Sequence, residues 1–482
     1  MMRDQLRRDT VSGVGWAFLS STSLRIFQAV TTLVLAKLLV PSDFGVYTLS
    51  TLIIYAIVVF RDVGFAQVLI YQQGDAMKSA STAFFLSLAS SVVLAVLLFA
   101  SAPLLGRAFS TAEIVLPVRA MAVSLVISGA ANVPVALLDK QLKFKKRVMP
   151  EVVSAFTYAS VSIILAVMGF RAWSLIIGWI AMSIVNSIAM WMVCGWKPAL
   201  EFDRREARVI VGYGKHLMVA SLATFLFFQI DNASVGKLLG LRALGFYSMA
   251  FTVCNLPATN LSNVVNRVMF PTYSRLQLDM PEMRAVYLQT VKYIAMAAFP
   301  AAIGIFVIAD PVIRVFYGAK WIPAIPLFHI LALYGLIRSI GSTASAVFMS
   351  TGNPGLVRRV SALQLLIALP LVYTVAMKAG AMGVAVLFTC AYLFGTVYSL
   401  GKVRGILDIR VRQYVKAVSL PLGASVLAGV FGWAASLAVG PASWSGIAVN
   451  CVMFGSVYGA SVFLLDKSVY GELAGLLRKS RE

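Results

Sequence analysis

Long apolar runs, separated by short polar or Gly/Pro-bearing stretches, follow one another along the whole chain. Most exceed 18 residues, and a helix of that length crosses a hydrocarbon core roughly 30 Å thick. The pattern therefore predicts an all-α polytopic membrane protein with about 14 transmembrane helices. The predicted spans are 12–38, 44–60, 80–104, 113–138, 148–169, 172–195, 209–239, 243–272, 285–308, 323–350, 358–377, 380–401, 413–438 and 444–465.

Two similar segments indicate an internal repeat. Residues 37–47 read KLLVPSDFGVY and residues 237–247 read KLLGLRALGFY, so Lys-Leu-Leu, five residues and Gly-x-Tyr recur. Six spans fit into one period, as in transporters built from repeated helical bundles. We therefore predict an N-terminal six-helix lobe with its linker at 1–208, a C-terminal six-helix lobe at 209–405, and two additional helices with a tail at 406–482.

Composition and charge support a membrane environment. Hydrophobic residues make up 60% of the chain and charged residues 12%, whereas about 25% are charged in soluble domains. The net charge of +22 comes from loops between the spans, and most of the 41 Lys and Arg residues fall on the side of the two termini. The positive-inside rule explains this asymmetry and predicts cytoplasmic termini, with no nucleic-acid partner.

Several charges lie inside predicted spans, where each needs a partner or a water-filled cavity. Arg25 and Arg338 lie near the centres of their spans, so we expect both to face a cavity. Asp231 is the one acidic residue well inside a span, and it has two interpretations. It forms an ion pair that holds two helices together, with Arg25 or Arg338 as the partner, or it has a functional role in coupling.

Other polar residues also leave two interpretations open. Arg61 and Asp62, at the inner end of the second span, form either a local pair or a gate that changes partners. Asn260 and Asn263 lie on the eighth span, where amides serve either helix packing or contacts to sugar hydroxyls. Arg267 lies toward the inner end of that span, where its side chain either reaches the interface or contributes to the cavity.

Catalytic and cofactor-binding motifs are not found in the sequence. The two histidines, His216 and His329, are not spaced with carboxylates or cysteines as metal ligands, and no phosphate-binding loop or dinucleotide fingerprint is present. No segment between spans is long enough for a nucleotide-binding domain, so an ATP-driven pump is excluded in this chain. We predict a protein that is not an enzyme and holds no cofactor.

Specific segments resemble a known family. Leu38–Tyr47, Arg61–Phe65, the Asp231-Asn232 pair with the following Gly236–Gly240, Arg267–Pro271 and Phe316–Trp321 are similar to segments of the polysaccharide transporter family of bacterial flippases. Within that family the chain resembles the Wzx-type exporters of colanic acid, succinoglycan and teichuronic acid. The family belongs to the MOP superfamily, together with MATE drug exporters and lipid II flippases.

The resemblance implies two six-helix lobes around a cavity that opens alternately to the cytoplasm and the periplasm. It also implies a substrate, an undecaprenyl-diphosphate-linked oligosaccharide repeat unit, moved across the bacterial inner membrane for exopolysaccharide or lipopolysaccharide synthesis. Arg25, Arg338 and Arg267 are then candidate diphosphate ligands, and Asn260 and Asn263 are candidate sugar ligands. Asp231 is the candidate group for coupling to an H⁺ or Na⁺ gradient. Membrane lipids and the polymerase and glycosyltransferases of the pathway are candidate partners.

Two alternative functions remain open at this point. A MATE-like cation-coupled multidrug exporter would favour acidic and aromatic residues in its cavity, whereas the deep charges here are mainly basic. A membrane polysaccharide polymerase or glycosyltransferase would need an acidic site or a long loop at the outer face. A translocation assay that also measures new glycosidic bonds separates these functions from a flippase.

Overall fold

The chain is described from a computed structural model, which covers residues 27, 30–61, 69, 76–141, 143–440 and 442–465. Within these residues every regular element is a helix. Helices suit so apolar a chain because they pair the backbone N–H and C=O groups within one segment. Hydrocarbon offers these groups no other hydrogen-bond partner. The predicted all-α fold is confirmed.

Two compact units divide the chain, Met1–Ser248 and Met249–Glu482. In the first unit residues 30–38 are helical and precede α1. The helices that follow are α1 (Pro41–Arg61), α2 (Ala76–Ala108), α3 (Val115–Lys140), α4 (Phe144–Val167), α5 (Ala172–Cys194) and α6 (Arg204–Val264), of which α6 continues into the second unit.

The second unit contains the end of α6 and six further helices. They are α7 (Phe270–Arg275), α8 (Met280–Val312), α9 (Ile325–Ser350), α10 (Pro354–Leu407), α11 (Val411–Val439) and α12 (Trp444–Leu465). Single π-helical turns occupy Val265–Met269 and Ile313–Tyr317. The last two helices pack on α8, where the Tyr458 hydroxyl donates to the Met296 carbonyl oxygen at 2.6 Å.

Ten helices in the described residues are long and apolar enough to cross a membrane. Among them, α10 is two spans joined at Gly380, whose φ of 60° and ψ of −154° interrupt the helix. The long helix α6 bends in the same way at Gly240, with φ 81° and ψ 178°. Glycine suits both bends because a side chain is strained at these positive φ angles. The chain is therefore a multi-pass membrane protein, with spans that meet where the sequence pattern predicts.

The first repeat copy has its break at the corresponding position. The helix of residues 30–38 ends before Leu39 and Val40, and α1 begins at Pro41, three residues earlier than the predicted span. Proline suits the first helical position, where its missing N–H is not needed. The Asp43 carboxylate accepts a hydrogen bond from the Val40 backbone N–H at 3.1 Å and thereby stabilises the break.

The two repeat copies contact each other within the first unit. A Cβ on Gly45 would lie 1.9 Å from the carbonyl oxygen of Leu241, and a Cβ on Gly245 would lie 1.7 Å from that of Pro41. The Thr48 hydroxyl donates to the Ser248 hydroxyl at 3.0 Å, and these residues are 200 positions apart. Exchanging the two copies converts the Gly45–Leu241 contact into the Gly245–Pro41 contact, as in an isologous interface.

The division of the chain at 208 and 405 describes the repeat period and stays a prediction. Contact between residues divides the chain differently, after Ser248. This follows from the reciprocal packing, since residues 241–248 of the second copy contact α1 and are counted with it.

Candidate functional site

Arg338 lies in the middle of α9 and is half-buried. Its Nη1 donates a hydrogen bond to Oδ1 of Asn255 on α6, at 2.9 Å. The two helices come close because Gly335, one turn before Arg338, has no side chain. A Cβ there would lie 2.3 Å from the Cys254 carbonyl oxygen. A small residue at a helix contact thus brings a guanidinium and an amide together in the second unit.

Aromatic rings lie one helical turn from this pair. The ring centroids of Phe251 and Tyr334 are 5.6 Å apart, and those of Tyr334 and Tyr392 are 4.7 Å apart. Phe251 precedes Asn255 by four residues on α6, and Tyr334 precedes Arg338 by four on α9. The aromatic cluster therefore lies one helical turn before the polar pair on both helices.

This arrangement suits an anionic ligand that contacts the exposed part of the Arg338 side chain. A guanidinium carries five N–H donors in a planar fork, and the fork matches phosphate oxygens in pairs. The Asn255 amide that accepts this hydrogen bond is neutral, so this particular contact does not neutralise the guanidinium. Arg338 lies near the middle of its helix, as its predicted span places it, and its role as a substrate ligand stays a prediction. Its amide partner, 83 positions away, is not predicted from the sequence.

The other predicted cavity residues are described to different extents. Asn260 is half-buried on α6, five residues after Asn255. Asn263 is in the last turn of α6, and Arg267 is in the π-helical turn that follows; their backbones are helical and their side chains lie outside the described part of the structure. Arg25 also lies outside the described residues. The grouping of these residues around a substrate stays a prediction.

Asp231 is buried on α6, with 4% of its surface exposed. Its Oδ2 accepts a hydrogen bond from the Tyr247 hydroxyl at 2.9 Å, and its Oδ1 accepts one from the Asn232 backbone N–H at 2.7 Å. Asp231 and Tyr247 lie on opposite sides of the bend at Gly240, so the carboxylate links the two halves of α6. This geometry supports a role for Asp231 in holding the bend, whereas the predicted ion pair and the predicted coupling role both stay predictions.

Tyr247 is expected to contribute to stability through this bond. Changing Tyr247 to Phe removes one hydrogen bond to a buried carboxylate, which costs about 1–3 kcal/mol. We expect a melting temperature several degrees below wild type in detergent, measured by the fluorescence of the purified protein. The matched control is Tyr373→Phe on α10, where the side chain is 62% exposed and the melting temperature should stay unchanged. Equal melting temperatures for both variants would contradict the role of Tyr247.

Arg61 is also buried, with 4% of its surface exposed, at the end of α1. Its Nη1 donates to the Leu125 carbonyl oxygen at 3.3 Å and to the Ser128 hydroxyl on α3. Asp62 lies outside the described residues, so the predicted local pair and the predicted gate both stay predictions. What the structure adds is that Arg61 connects α1 to α3.

Comparison with known proteins identifies the family. The family described as "Polysaccharide biosynthesis protein" matches residues 34–326 of the chain. The chain belongs to this family. The matched segment includes Arg61, Asp231, Asn260 and Asn263 and ends before Arg338. The predicted membership of the polysaccharide transporter family is thereby confirmed.

Individual relatives agree with this assignment. The chain is 24% identical to the lipopolysaccharide biosynthesis protein WzxC of Escherichia coli K12, over 86% of this chain and 85% of the relative. It is 25% identical to the teichuronic acid biosynthesis protein TuaB of Bacillus subtilis 168, over 73% of each. Among solved structures, the lipid II flippase MurJ in an inward closed conformation superimposes with a TM-score of 0.73 at 15% identity, covering 94% of this chain and 99% of that one. The fold is therefore shared with a flippase.

Proposed function

We propose that this family member is a flippase that moves undecaprenyl-diphosphate-linked oligosaccharide repeat units from the inner to the outer leaflet by alternating access. The observation that carries the proposal is the half-buried Arg338 guanidinium, hydrogen-bonded to the neutral amide of Asn255 inside an apolar helix bundle. A polar diphosphate-sugar headgroup does not cross hydrocarbon unaided, because losing its hydration is costly. Charge-assisted hydrogen bonds from arginines replace that hydration.

The similar proteins support this substrate class. WzxC and TuaB are named for lipopolysaccharide and teichuronic acid biosynthesis, and MurJ for flipping lipid II. In the proposed mechanism Arg338 binds the diphosphate together with Arg25 and Arg267. Asn260 and Asn263 contact sugar hydroxyls, and the polyprenyl tail stays in the lipid. Asp231 orients the bend in α6 and is the proposed site at which an H⁺ or Na⁺ gradient acts.

The proposed location is the bacterial inner membrane with both termini in the cytoplasm, because the basic loops lie on that side. The polymerase and glycosyltransferases of the same pathway are the proposed protein partners. No covalent bond is made or broken in this mechanism. The protein provides polar contacts that replace the water around the headgroup while it crosses the membrane.

Translocation in proteoliposomes tests the proposal. The protein is reconstituted with fluorescent lipid-linked oligosaccharide, and a membrane-impermeant lectin reports the fraction that reaches the opposite leaflet. We expect that fraction to rise with time in protein-containing vesicles, with no new glycosidic bond detected by mass spectrometry. Elongated glycan would instead indicate a polymerase or glycosyltransferase. Transport of a cationic dye without transport of the lipid-linked sugar would indicate a multidrug exporter.

A further inference from the structure

A second polar region lies inside the first unit, between α3, α4 and α5. It is a partly open cavity of about 390 Å³. Pockets for small organic ligands begin at about 300 Å³, so this cavity has room for a ligand of the size of a sugar ring. Its lining residues are Ser128, Ala131, Asn132, Val135, Glu151, Ser154, Ala155, Met182, Ser183 and Asn186.

The polar residues of this cavity lie at similar depths on their three helices. Asn132 is eight residues before the end of α3 at Lys140, and Asn186 is eight residues before the end of α5 at Cys194. Glu151 is seven residues after the start of α4 at Phe144. At 1.5 Å per residue, the two asparagines lie about 12 Å and Glu151 about 10 Å along their helices from those ends. These helix ends belong to the side that the basic loops assign to the cytoplasm, where a lipid-linked sugar would enter.

The serines among the described lining residues present hydrogen-bond acceptors to the cavity. The Ser154 hydroxyl donates to the Glu151 carbonyl oxygen at 2.9 Å, and the Ser183 hydroxyl donates to the Trp179 carbonyl oxygen at 2.9 Å. Because each serine proton is used within its own helix, the oxygen lone pairs are what these side chains offer to a ligand. The Glu151 carboxylate adds further acceptor capacity.

Asn186 contributes an amide with unused hydrogen-bonding capacity to the lining. Its Oδ1 is buried and has no hydrogen-bond partner among the described residues. A buried carbonyl oxygen without a donor is costly. Because this oxygen is shielded from the cavity in the structure, the side chain has to rotate for Oδ1 to accept a hydrogen bond there. A hydroxyl-bearing ligand would supply that donor.

The charges around the cavity indicate which part of the substrate it fits. The Glu151 carboxylate is fixed by Arg147, whose Nε lies 2.7 Å from Oε1, and Arg147 also binds Asp139 at 2.8 Å. A diphosphate carries only acceptors and negative charge, so it is disfavoured beside a carboxylate and several lone pairs. A bare cation would have to compete with Arg147 for Glu151, in a space much larger than one ion. Neutral sugar hydroxyls match the acceptors, and the aliphatic walls match the C–H faces of the ring.

We propose that this cavity is a sugar subsite, in which Asn186, Ser183, Ser154 and Asn132 bind the hydroxyl groups of a neutral sugar of the lipid-linked oligosaccharide. The inference rests on the proposed flippase function and adds a division of labour to it. Arginines bind the diphosphate, Asn260 and Asn263 contact one part of the glycan, and the cavity of the first unit binds a neutral sugar of it. Selectivity follows because a ligand without these hydroxyls leaves buried acceptors unpaired.

Binding measurements on the full-length protein in nanodiscs test the subsite. The two probes are undecaprenyl diphosphate without sugar and undecaprenyl-diphosphate-linked oligosaccharide purified from polysaccharide-producing cells. We expect wild type to bind the sugar-bearing lipid more tightly than the bare lipid. Changing Asn186 to Ala should reduce this preference roughly tenfold, the effect of losing one to two hydrogen bonds, and should leave the affinity for the bare lipid unchanged.

Two further variants keep the test decisive. Asn450→Ala is the matched control, because the Asn450 Oδ1 on α12 is also buried without a described partner but lies outside the cavity; it should keep the full preference. Ser183→Ala replaces Asn186→Ala if that variant does not fold, and it should reduce the preference in the same direction.

Each other outcome has a definite meaning. An equal loss of affinity for both lipids in Asn186→Ala, or no loss, overturns the sugar subsite. Wild type that binds both lipids equally also overturns the subsite while the flippase function stands. Wild type that binds neither lipid contradicts the flippase function itself. A sodium-dependent rise in melting temperature that disappears in Asn186→Ala, with the sugar preference intact, assigns the cavity to a cation instead.

Discussion

Replacing Arg338 by Gln is expected to slow translocation of lipid-linked oligosaccharide by about 10-fold to 100-fold. Hydrogen bonds to a charged group contribute about 1.5–3 kcal/mol each, and a factor of ten corresponds to about 1.4 kcal/mol. Glutamine keeps a hydrogen-bonding group near Asn255 but removes the positive charge and the planar fork. Initial rates in the proteoliposome assay, normalised to the amount of reconstituted protein, measure the effect.

Two controls separate charge from general damage. Arg338→Lys keeps the charge and loses the paired donors, so it should fall between wild type and the glutamine variant. Arg314→Gln makes the same chemical change at a half-exposed ion pair, where Nε lies 2.9 Å from Asp310 Oδ1. Exposed pairs contribute little, so its rate should be close to that of wild type. A wild-type rate for Arg338→Gln would exclude Arg338 from substrate binding.

The second large effect is expected at the contact between the repeat copies. Changing Gly245 to Ala places a Cβ 1.7 Å from the Pro41 carbonyl oxygen, and changing Gly45 to Ala places one 1.9 Å from the Leu241 carbonyl oxygen. Backbone atoms cannot turn away as a flexible side chain does, so one helix must shift. Such overpacking costs about 1–3 kcal/mol and sometimes more. We expect each variant to give less monodisperse protein on size-exclusion chromatography and a melting temperature at least several degrees lower.

A glycine elsewhere on α6 provides the control. Gly212 is exposed, and a Cβ there would meet no atom within 4 Å. Alanine in a helix is favoured over glycine by roughly 0.5–1 kcal/mol, so Gly212→Ala should be neutral or slightly stabilising. If Gly45→Ala and Gly245→Ala have the same melting temperature as Gly212→Ala, the close approach of the two copies does not limit stability.

Local signals in the sequence are sufficient to predict the helical fold and the family. Gly240 lies between two predicted spans and Gly380 is the first residue of one, because a helix interruption needs only a few residues to be visible in sequence. The reciprocal contact of the repeat copies agrees with the matching segments at residues 37–47 and 237–247, since similar segments in similar helices offer similar surfaces.

Contacts between residues that are distant in sequence cannot be predicted from such local signals. The Arg338–Asn255 hydrogen bond depends on the close approach at Gly335, and nothing in the sequence assigns Gly335 to Cys254 in particular. The sequence marks Tyr247 as part of the repeat and gives no sign that its hydroxyl donates a hydrogen bond to Asp231. Its role depends on the bend between them, which folds two halves of one helix together.

The polar cavity of the first unit was missed for a related reason. Asn132, Glu151 and Asn186 lie on three different helices, and each is compatible with ordinary helix packing when its own span is considered. Only the matching depth of the three residues reveals a common site. This depth is visible in the sequence as equal distances of Asn132 and Asn186 from the ends of their helices, but it has meaning only after the helices are known to be neighbours.

Because Gly45 faces Leu241 while Gly245 faces Pro41, the junction is self-complementary. A polypeptide of about half this length would therefore carry both sides of the junction and could close it with a second molecule of itself. Fusion of two such polypeptides would conserve the junction without any new surface. The two copies differ at the interruption itself, where Val40 in one corresponds to the bend residue Gly240 in the other.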